Sequence, residues 1–269
     1  EDTLCIDVDK LRLAITPKTK AVILVSANGR YPTAGIDRFK NLCSEHEITL
    51  IEDAAQAHGA SQVMLDGKEL IAGSMGDLGC FSFFPSKNMA VGGEGGMLTT
   101  TVSELTDAVS LVVNHGRSPS LESMQLGSNL RMSEVSAAIG TVQLKHLDNW
   151  VVRRREIAQQ YNDEFADLTL VSTPKTRPGA KHAWHQYCLT TKYPDQLVKH
   201  LDGQGIDARR YYSTPCHKQA VFANHAQHNE TLPITDKLSN SLVAIPVMHE
   251  LSDIEVQRII EAVVTFSAN

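Results

Sequence analysis

The chain has 269 residues with 25 basic and 31 acidic side chains, a net charge of −6, which is room for one large domain or two smaller ones. Hydrophobic residues at 42% and charged residues at 21% fall in the range of folded globular proteins, which excludes wholesale disorder. No apolar run approaches the roughly 18 residues of a membrane helix, the first residues carry no basic stretch followed by an apolar one, and an acidic balance without a dense basic patch excludes nucleic acid.

In chain order, Ala21 to Ser26 (AVILVS) is a continuous apolar run of the kind that fills a strand buried on both faces, and Asn28-Gly29 ends it. Ile36, Phe39, Leu42 and Cys43 then share one face at helical spacing. Ile48 to Ile51 is a second short apolar run, closed by Glu52-Asp53. Strand, helix and strand within about 30 residues predict a βαβ unit with a parallel pair. Asp53 thereby falls at the carboxyl end of a strand, where open α/β sheets bind their ligands.

Cys80 to Phe84 (CFSFF) is a third strand candidate and runs into Pro85-Ser86-Lys87-Asn88. Gly92-Gly93-Glu94-Gly95-Gly96 calls for unusual backbone angles or close approach of backbone to another group. Met97 to Thr101 returns as a strand, and Ser103 caps a helix running to about Asn114. Residues from Ser133 to about Phe165 read as helical nearly throughout, about 50 Å at 1.5 Å per residue. A helix of that length predicts a bridge between two domains, 1–150 and a smaller α+β domain over 151–269. Within it Arg153-Arg154-Arg155 reads as a solvated face. The tail predicts a strand near Trp184 to Thr191, a helix near Asp195 to Gln204 and a strand near Asp207 to Tyr212. A last helix opens on the capping box Ser252 to Glu255.

Five cysteines, odd in number and never spaced C-x-x-C, read as reduced thiols of a cytoplasmic protein. His182, His185 and Cys188 lie in an alternating run without a second ligand pair, so no metal is expected.

Lys87 and Asp53 are the candidates for chemistry. Each has an ordinary alternative, a solvated loop lysine and a strand-end cap, but both fall at one edge of one sheet. The lysine stands near the glycine run and the aspartate beside Ala54-Ala55-Gln56, small residues that leave room for a flat group. A lysine amine can form a Schiff base with a carbonyl, and a carboxylate can keep a pyridine nitrogen protonated. Pyridoxal phosphate chemistry asks a protein for those two groups and a phosphate cradle, to which the Ser82 hydroxyl can donate. Gly73 to Gly79 does not fit G-x-G-x-x-G, and there is no G-x-x-x-x-G-K-[ST], so nucleotide-binding loops are not expected.

Asp53-Ala54-Ala55-Gln56-Ala57-His58-Gly59-Ala60, Phe81-Ser82-Phe83-Phe84-Pro85-Ser86-Lys87-Asn88 and Gly93-Glu94-Gly95-Gly96 resemble, in order, the cofactor motifs of the DegT/DnrJ/EryC1/StrS aminotransferases. Asn114-His115-Gly116-Arg117, Gly127-Ser128-Asn129-Leu130-Arg131, Tyr212-Ser213-Thr214-Pro215-Cys216-His217 and Ile245-Pro246-Val247-Met248-His249 extend the likeness over essentially the whole chain. The resemblance implies a pyridoxal phosphate enzyme of fold type I, an α/β protein with a mostly parallel sheet in the large domain and a smaller α+β C-terminal domain. It implies that Lys87 carries the cofactor and shuttles the proton, Asp53 pairs with the pyridinium nitrogen, and Gln56 lies beside the ring. Ser82 would bind the phosphate, Asn129 would reach the partner's phosphate in a homodimer, and Tyr212 and His217 would face the substrate.

The implied reaction moves an amino group from an amino acid, glutamate in most of the family, to a nucleotide-linked keto-sugar for polysaccharide or secondary-metabolite synthesis. A sugar dehydratase or epimerase on the same scaffold is the alternative, although relatives that dehydrate replace the lysine with histidine. Ser26-Ala27-Asn28-Gly29 stands where many relatives have His-x-Tyr-Gly, and Tyr211 where a histidine is common. The resemblance also implies that the usual N-terminal segment, with a Ser-Gly-Thr phosphate loop and a ring-stacking aromatic, is missing. A catalytically impaired fragment is therefore the third reading.

Overall fold

A computed structural model describes residues 2–224 and 231–268. By their internal contacts they divide into two units, one comprising Leu4–Val151 and Thr176–Ala183, the other Val152–Lys175 and Trp184–Asn269 with the first three residues.

The first unit opens on α1 (Val8–Ala14), capped by Asp7, whose carboxylate accepts from the amides of Asp9 and Lys10. Strand β1 (Ala21–Val25), helix α2 (Ile36–Glu45) and strand β2 (Thr49–Asp53) then form the expected βαβ unit, with β1 and β2 parallel from Ala21 opposite Thr49 to Val25 opposite Asp53. The apolar face of α2, Ile36, Phe39, Leu42 and Cys43, is buried together with Val22, Leu24 and Leu50. The run AVILVS is covered on one face only. Leu24 is fully buried whereas Ile23 is 60% exposed, because α2 packs on one side and no described element covers the other.

After β2 comes a hairpin that periodicity does not reveal, β3 (Ser61–Val63) and β4 (Glu69–Ile71), turning through Asp66-Gly67 with Gly67 at φ 82°. Strand β5 (Leu78–Ser82) adds to β2 in parallel, and β6 (Gly96–Thr99) adds to β5 antiparallel, giving the order β1-β2-β5-β6. Two of its three pairings are parallel, as a mostly parallel sheet requires. The glycine run serves close packing of backbone and side chains. A Cβ on Gly96 would lie 2.8 Å from the Phe81 carbonyl, and one on Gly95 2.7 Å from Val91 Cγ2.

Helix α3 (Ser103–Val113) follows, without the expected cap: Ser103 is its first helical residue, and Thr100 Oγ1 instead accepts from the Val102 amide at 3.0 Å. The helix expected over 133–165 is two, α4 (Glu134–Leu144) and α5 (Leu147–Phe165). At the break the amides of Lys145 and His146 turn to carbonyls three residues back. That tighter turn ends the first helix.

The second unit, beginning within α5, includes strand β7 (Val171–Ser172), while β8 (Ala180–Lys181) belongs to the first unit and pairs with β3. Strand β9 (Tyr187–Thr191), helix α6 (Pro194–Asp202), helix α7 (Pro233–Ser239), strand β10 (Leu242–Ile245) and helix α8 (Asp253–Ala268) complete it, with the antiparallel order β10-β9-β7. Residues 207–212 form no strand and contribute only a bridge from Arg209 to Ala244. The capping box is present, Ser252 Oγ accepting from the Glu255 amide and the Glu255 carboxylate from the Ser252 amide.

The triple arginine is not a solvated face. Arg154 is 5% exposed and donates to the carbonyls of Trp184 at 3.0 Å and Val247 at 3.3 Å, while Arg153 donates to the carbonyl of Leu251 and to Asp253. Arg154 lies on the helical stripe that also carries Val151, Ala158, Tyr161 and Phe165, all buried.

Candidate active site

Two neighbouring strands end at the same edge. Asp53 is the last residue of β2, in register with Cys80 of β5, and β5 ends two residues later at Ser82. The Asp53 carboxylate accepts from the Ala55 amide at 3.0 Å and stays half-buried. Beyond Ser82 the chain folds back, with the Lys87 amide donating to the Phe84 carbonyl at 2.9 Å. Lys87 is half-buried. Burial lowers its pKa and the charge of Asp53 opposes that shift, so amine and carboxylate act on one another across the sheet edge. A lysine depressed in this way has more of its neutral, nucleophilic form at neutral pH than a solvated one.

Ser82 Oγ accepts from the Phe84 amide at 3.3 Å and keeps its own proton for a further acceptor. Amine, carboxylate and hydroxyl at one edge are the donor set for a flat heterocycle bearing a carbonyl and a phosphate. Gln56 is fixed by its side chain, Oε1 accepting from the Asn28 amide at 2.7 Å.

His58 belongs to the same neighbourhood, although the sequence gives no reason to single it out beyond its place in the Asp53 segment. It is 3% exposed, its ring 5.2 Å from that of Phe81 and 5.9 Å from that of Phe83. Burial, aided by the positive charge of Lys87, pushes its pKa down to about 4 from the usual 6.5, with a weaker pull upward from the Ser82 backbone. A depressed histidine is neutral in the folded chain while the unfolded chain takes up a proton, so stability falls as pH drops from 6.5 towards 4. The loss is on the order of 3 kcal/mol at the acid end. His58→Phe, which leaves nothing to protonate, is expected to flatten this arm of a stability–pH curve measured by urea unfolding; an arm as steep as in the unaltered chain would assign the loss to other groups.

Asn129 stands on a hairpin over 114–129, bridged to Asn114, and its Oδ1 accepts from Arg131 Nε at 3.1 Å. Tyr212 and His217 belong to the other unit. Tyr212 is exposed with φ 58°, and His217 Nε2 lies 3.4 Å from Asp236 Oδ1, which also pairs with Lys218 at 2.7 Å. The structure thus brings Asp53, Ser82, His58 and Lys87 together within one unit and leaves Tyr212 and His217, five residues apart in sequence, in the second.

Residues 1–264 match the DegT/DnrJ/EryC1/StrS aminotransferase family. The dTDP-3-amino-3,4,6-trideoxy-alpha-D-glucose transaminase of Streptomyces venezuelae is 33% identical over 263 residues, 98% of this chain and 68% of that protein. The UDP-N-acetyl-3-dehydro-alpha-D-glucosamine 3-aminotransferase of Acidithiobacillus ferrooxidans is 34% identical over 93% of this chain and 65% of its own length. Among solved structures, DesV of S. venezuelae superposes with a TM-score of 0.92 at 30% identity, over 100% of this chain and 70% of that one. The chain therefore spans about two thirds of the length of the curated relatives it matches.

Proposed function

The chain belongs to the DegT/DnrJ/EryC1/StrS aminotransferase family, and from that premise we infer that it uses pyridoxal 5′-phosphate to move an amino group from an amino acid to a nucleotide-linked keto-sugar. The observation that carries the reading is the half-buried Lys87 amine facing the Asp53 charge at the carboxyl edge of β2 and β5. When bound, the cofactor supplies an electron sink for the carbanion formed at the substrate carbon.

The protein's own groups do the rest. Lys87 would hold the cofactor, and its amine nitrogen would take the proton from the donor carbon and give one back. Its lowered pKa suits both directions, because a general base works best with a pKa near the working pH. Asp53 would keep a proton on the cofactor's ring nitrogen, Ser82 would donate to its phosphate and Gln56 would serve the ring. Tyr212 and His217 contact the substrate.

Asn129 reaches the phosphate of a second copy in a homodimer. The hairpin that carries it exposes Leu121, Met124 and Leu126, and α4 exposes Val135, Val142 and Leu144, an apolar surface of the kind that marks an interface. Among the described residues no helix is long and apolar enough to cross a membrane, and none of the five cysteines is in a disulfide. Reduced thiols agree with a cytoplasmic setting.

The test is a half-reaction. Purified protein given pyridoxal phosphate is expected to develop a visible absorption band, and glutamate should then discharge it with release of one 2-oxoglutarate per site. Asp53→Asn, which cannot hold the ring proton by charge, is expected to slow that discharge by about 10²- to 10⁴-fold. A folded sample with no band would overturn the reading. A band that glutamate leaves unchanged while a keto-sugar loses water would favour a dehydratase, as one structural neighbour at 25% identity is named, the GDP-4-keto-6-deoxy-D-mannose-3-dehydratase of E. coli.

A further inference from the structure

Asn88 follows Lys87 directly, is 2% exposed, and donates from Nδ2 to the Ala183 carbonyl at 2.8 Å. The Ala183 amide in turn donates to the Gly29 carbonyl at 3.1 Å. Asn28, one residue earlier, donates its amide to Gln56 Oε1 at 2.7 Å. Gln56 stands three residues after Asp53 on the loop leaving β2. Three hydrogen bonds therefore join the turn that carries Lys87 to the loop that carries Asp53 and Gln56, by way of two segments distant in sequence.

The nodes of this circuit leave no slack. Gly29 has φ 92°, and a Cβ there would come within 2.8 Å of both Ala183 Cβ and the Gln56 carbonyl oxygen. Asn28 has φ 59°, in the left-handed region, which asparagine tolerates better than most residues. The turn before Lys87 is closed by the bond from the Lys87 amide to the Phe84 carbonyl, and Phe84 in turn donates its amide to Ser82 Oγ. The buried carboxamide next door adds the tether that ties this turn to the Ala183 segment.

We propose that Asn88 is a positioning residue, which through Ala183 and Gly29 sets where the Lys87 amine lies relative to Gln56 and Asp53. The proposal rests on reading Lys87 as the lysine that takes the cofactor. A displacement of about 1 Å at a reacting group can cost a hundredfold in rate, so a second tether on the lysine turn has a direct catalytic use. A purely architectural asparagine would, when removed, lower stability and leave the titration of Lys87 where it was.

The experiment reads that titration in two ways. In the protein loaded with pyridoxal phosphate, the pH midpoint of the visible band is followed. In the cofactor-free protein, lysines are reductively methylated with ¹³C-formaldehyde and the Lys87 signal, identified by its loss in Lys87→Arg, is titrated by NMR.

Asn88→Ala and Gly29→Ala are each expected to move both midpoints by about one pH unit, the size of shift that a changed charge environment gives. The double variant should move them no further than the larger single change, because both break one circuit. If Asn88→Ala does not fold, Asn88→Ser is read in its place. Unmoved midpoints in folded variants, or displacements that add in full, would overturn the proposal. An unaltered protein with no visible band would overturn the cofactor reading instead, and the NMR titration would still decide whether Asn88 positions Lys87.

Discussion

Lys87→Ala is expected to abolish amino transfer, lowering the rate of glutamate discharge by at least about 10³-fold, the worth of a lost general base together with a lost covalent attachment. The visible band given by pyridoxal phosphate should disappear with it. The effect is confined to chemistry because Lys87 is only half-buried and contributes to none of the three apolar clusters. Thermal unfolding of the variant should match that of the unaltered chain to within a few degrees, since a surface-proximal truncation is worth about 0.5 kcal/mol.

Lys87→Arg separates charge from chemistry. It keeps the cation that Asp53 faces, but a guanidinium is never deprotonated in proteins and cannot act as nucleophile or base. Arginine should therefore fail as completely as alanine. A residual rate within tenfold of the unaltered protein in either variant would show that another group carries the proton, and the amine at this sheet edge would lose its assigned role.

The parts of this site that could be read from sequence share a physical origin. Asp53 ends a strand announced by an apolar run giving way to polar residues, and its edge followed from the βαβ pattern, whereas Ser82 reads as the middle of the run CFSFF and in the fold is the last residue of β5, which starts two residues earlier than expected, at Leu78. Lys87 followed because it comes just after such an end. What could not be read depends on side chains meeting across long separations in sequence. The bond from Asn88 to Ala183 spans 95 residues and that from Asn28 to Gln56 spans 28, and no local periodicity encodes either. His58 was hidden for a related reason: its properties come from Phe81, Phe83 and Lys87, which only the parallel addition of β5 to β2 brings near.

Elsewhere a signal was present and was outweighed by composition. The run Ala21 to Val25 predicts a strand covered on both faces, yet in the fold it is buried on one side only, with Val22 and Leu24 inward and Ile23 and Val25 outward. Five apolar residues in a row cannot say which face is covered. Three consecutive arginines outweighed a helical stripe that runs through one of them, since Val151, Arg154, Ala158, Tyr161 and Phe165 recur at intervals of three and four. Weighing each position by its place on the helix, rather than the cluster by its charge, would have put Arg154 inside.

That interior arginine has the larger expected effect on stability. Arg154 carries a buried guanidinium whose pKa is pushed down to about 10 by burial, with Glu250 opposing, so it remains charged at neutral pH. Replacing a buried charge with an apolar side chain of similar volume can be neutral or even stabilising when its partners are satisfied some other way. Here they are not. The carbonyls of Trp184 and Val247 both take hydrogen bonds from Nη1. Trp184, with φ 47°, is held in a left-handed conformation that a bulky residue adopts at a cost, stacked at 5.3 Å on Tyr187. Arg154→Met would keep most of the volume and leave two buried acceptors without this donor, at about 1 to 3 kcal/mol each. The expected loss is about 2 to 4 kcal/mol in urea unfolding followed by tryptophan fluorescence, on the scale set by those two groups. Arg154→Lys should recover little of it, because an ammonium on a shorter reach is a single point charge where the guanidinium is a planar fork. Arg153→Ala, one residue away with its partner Asp253 in solvent, should cost at most about 1 kcal/mol. Equal losses for Arg153→Ala and Arg154→Met would mean that the buried position contributes no more than a surface ion pair, and the assigned hydrogen bonds to Trp184 and Val247 would not be what holds this part of the core.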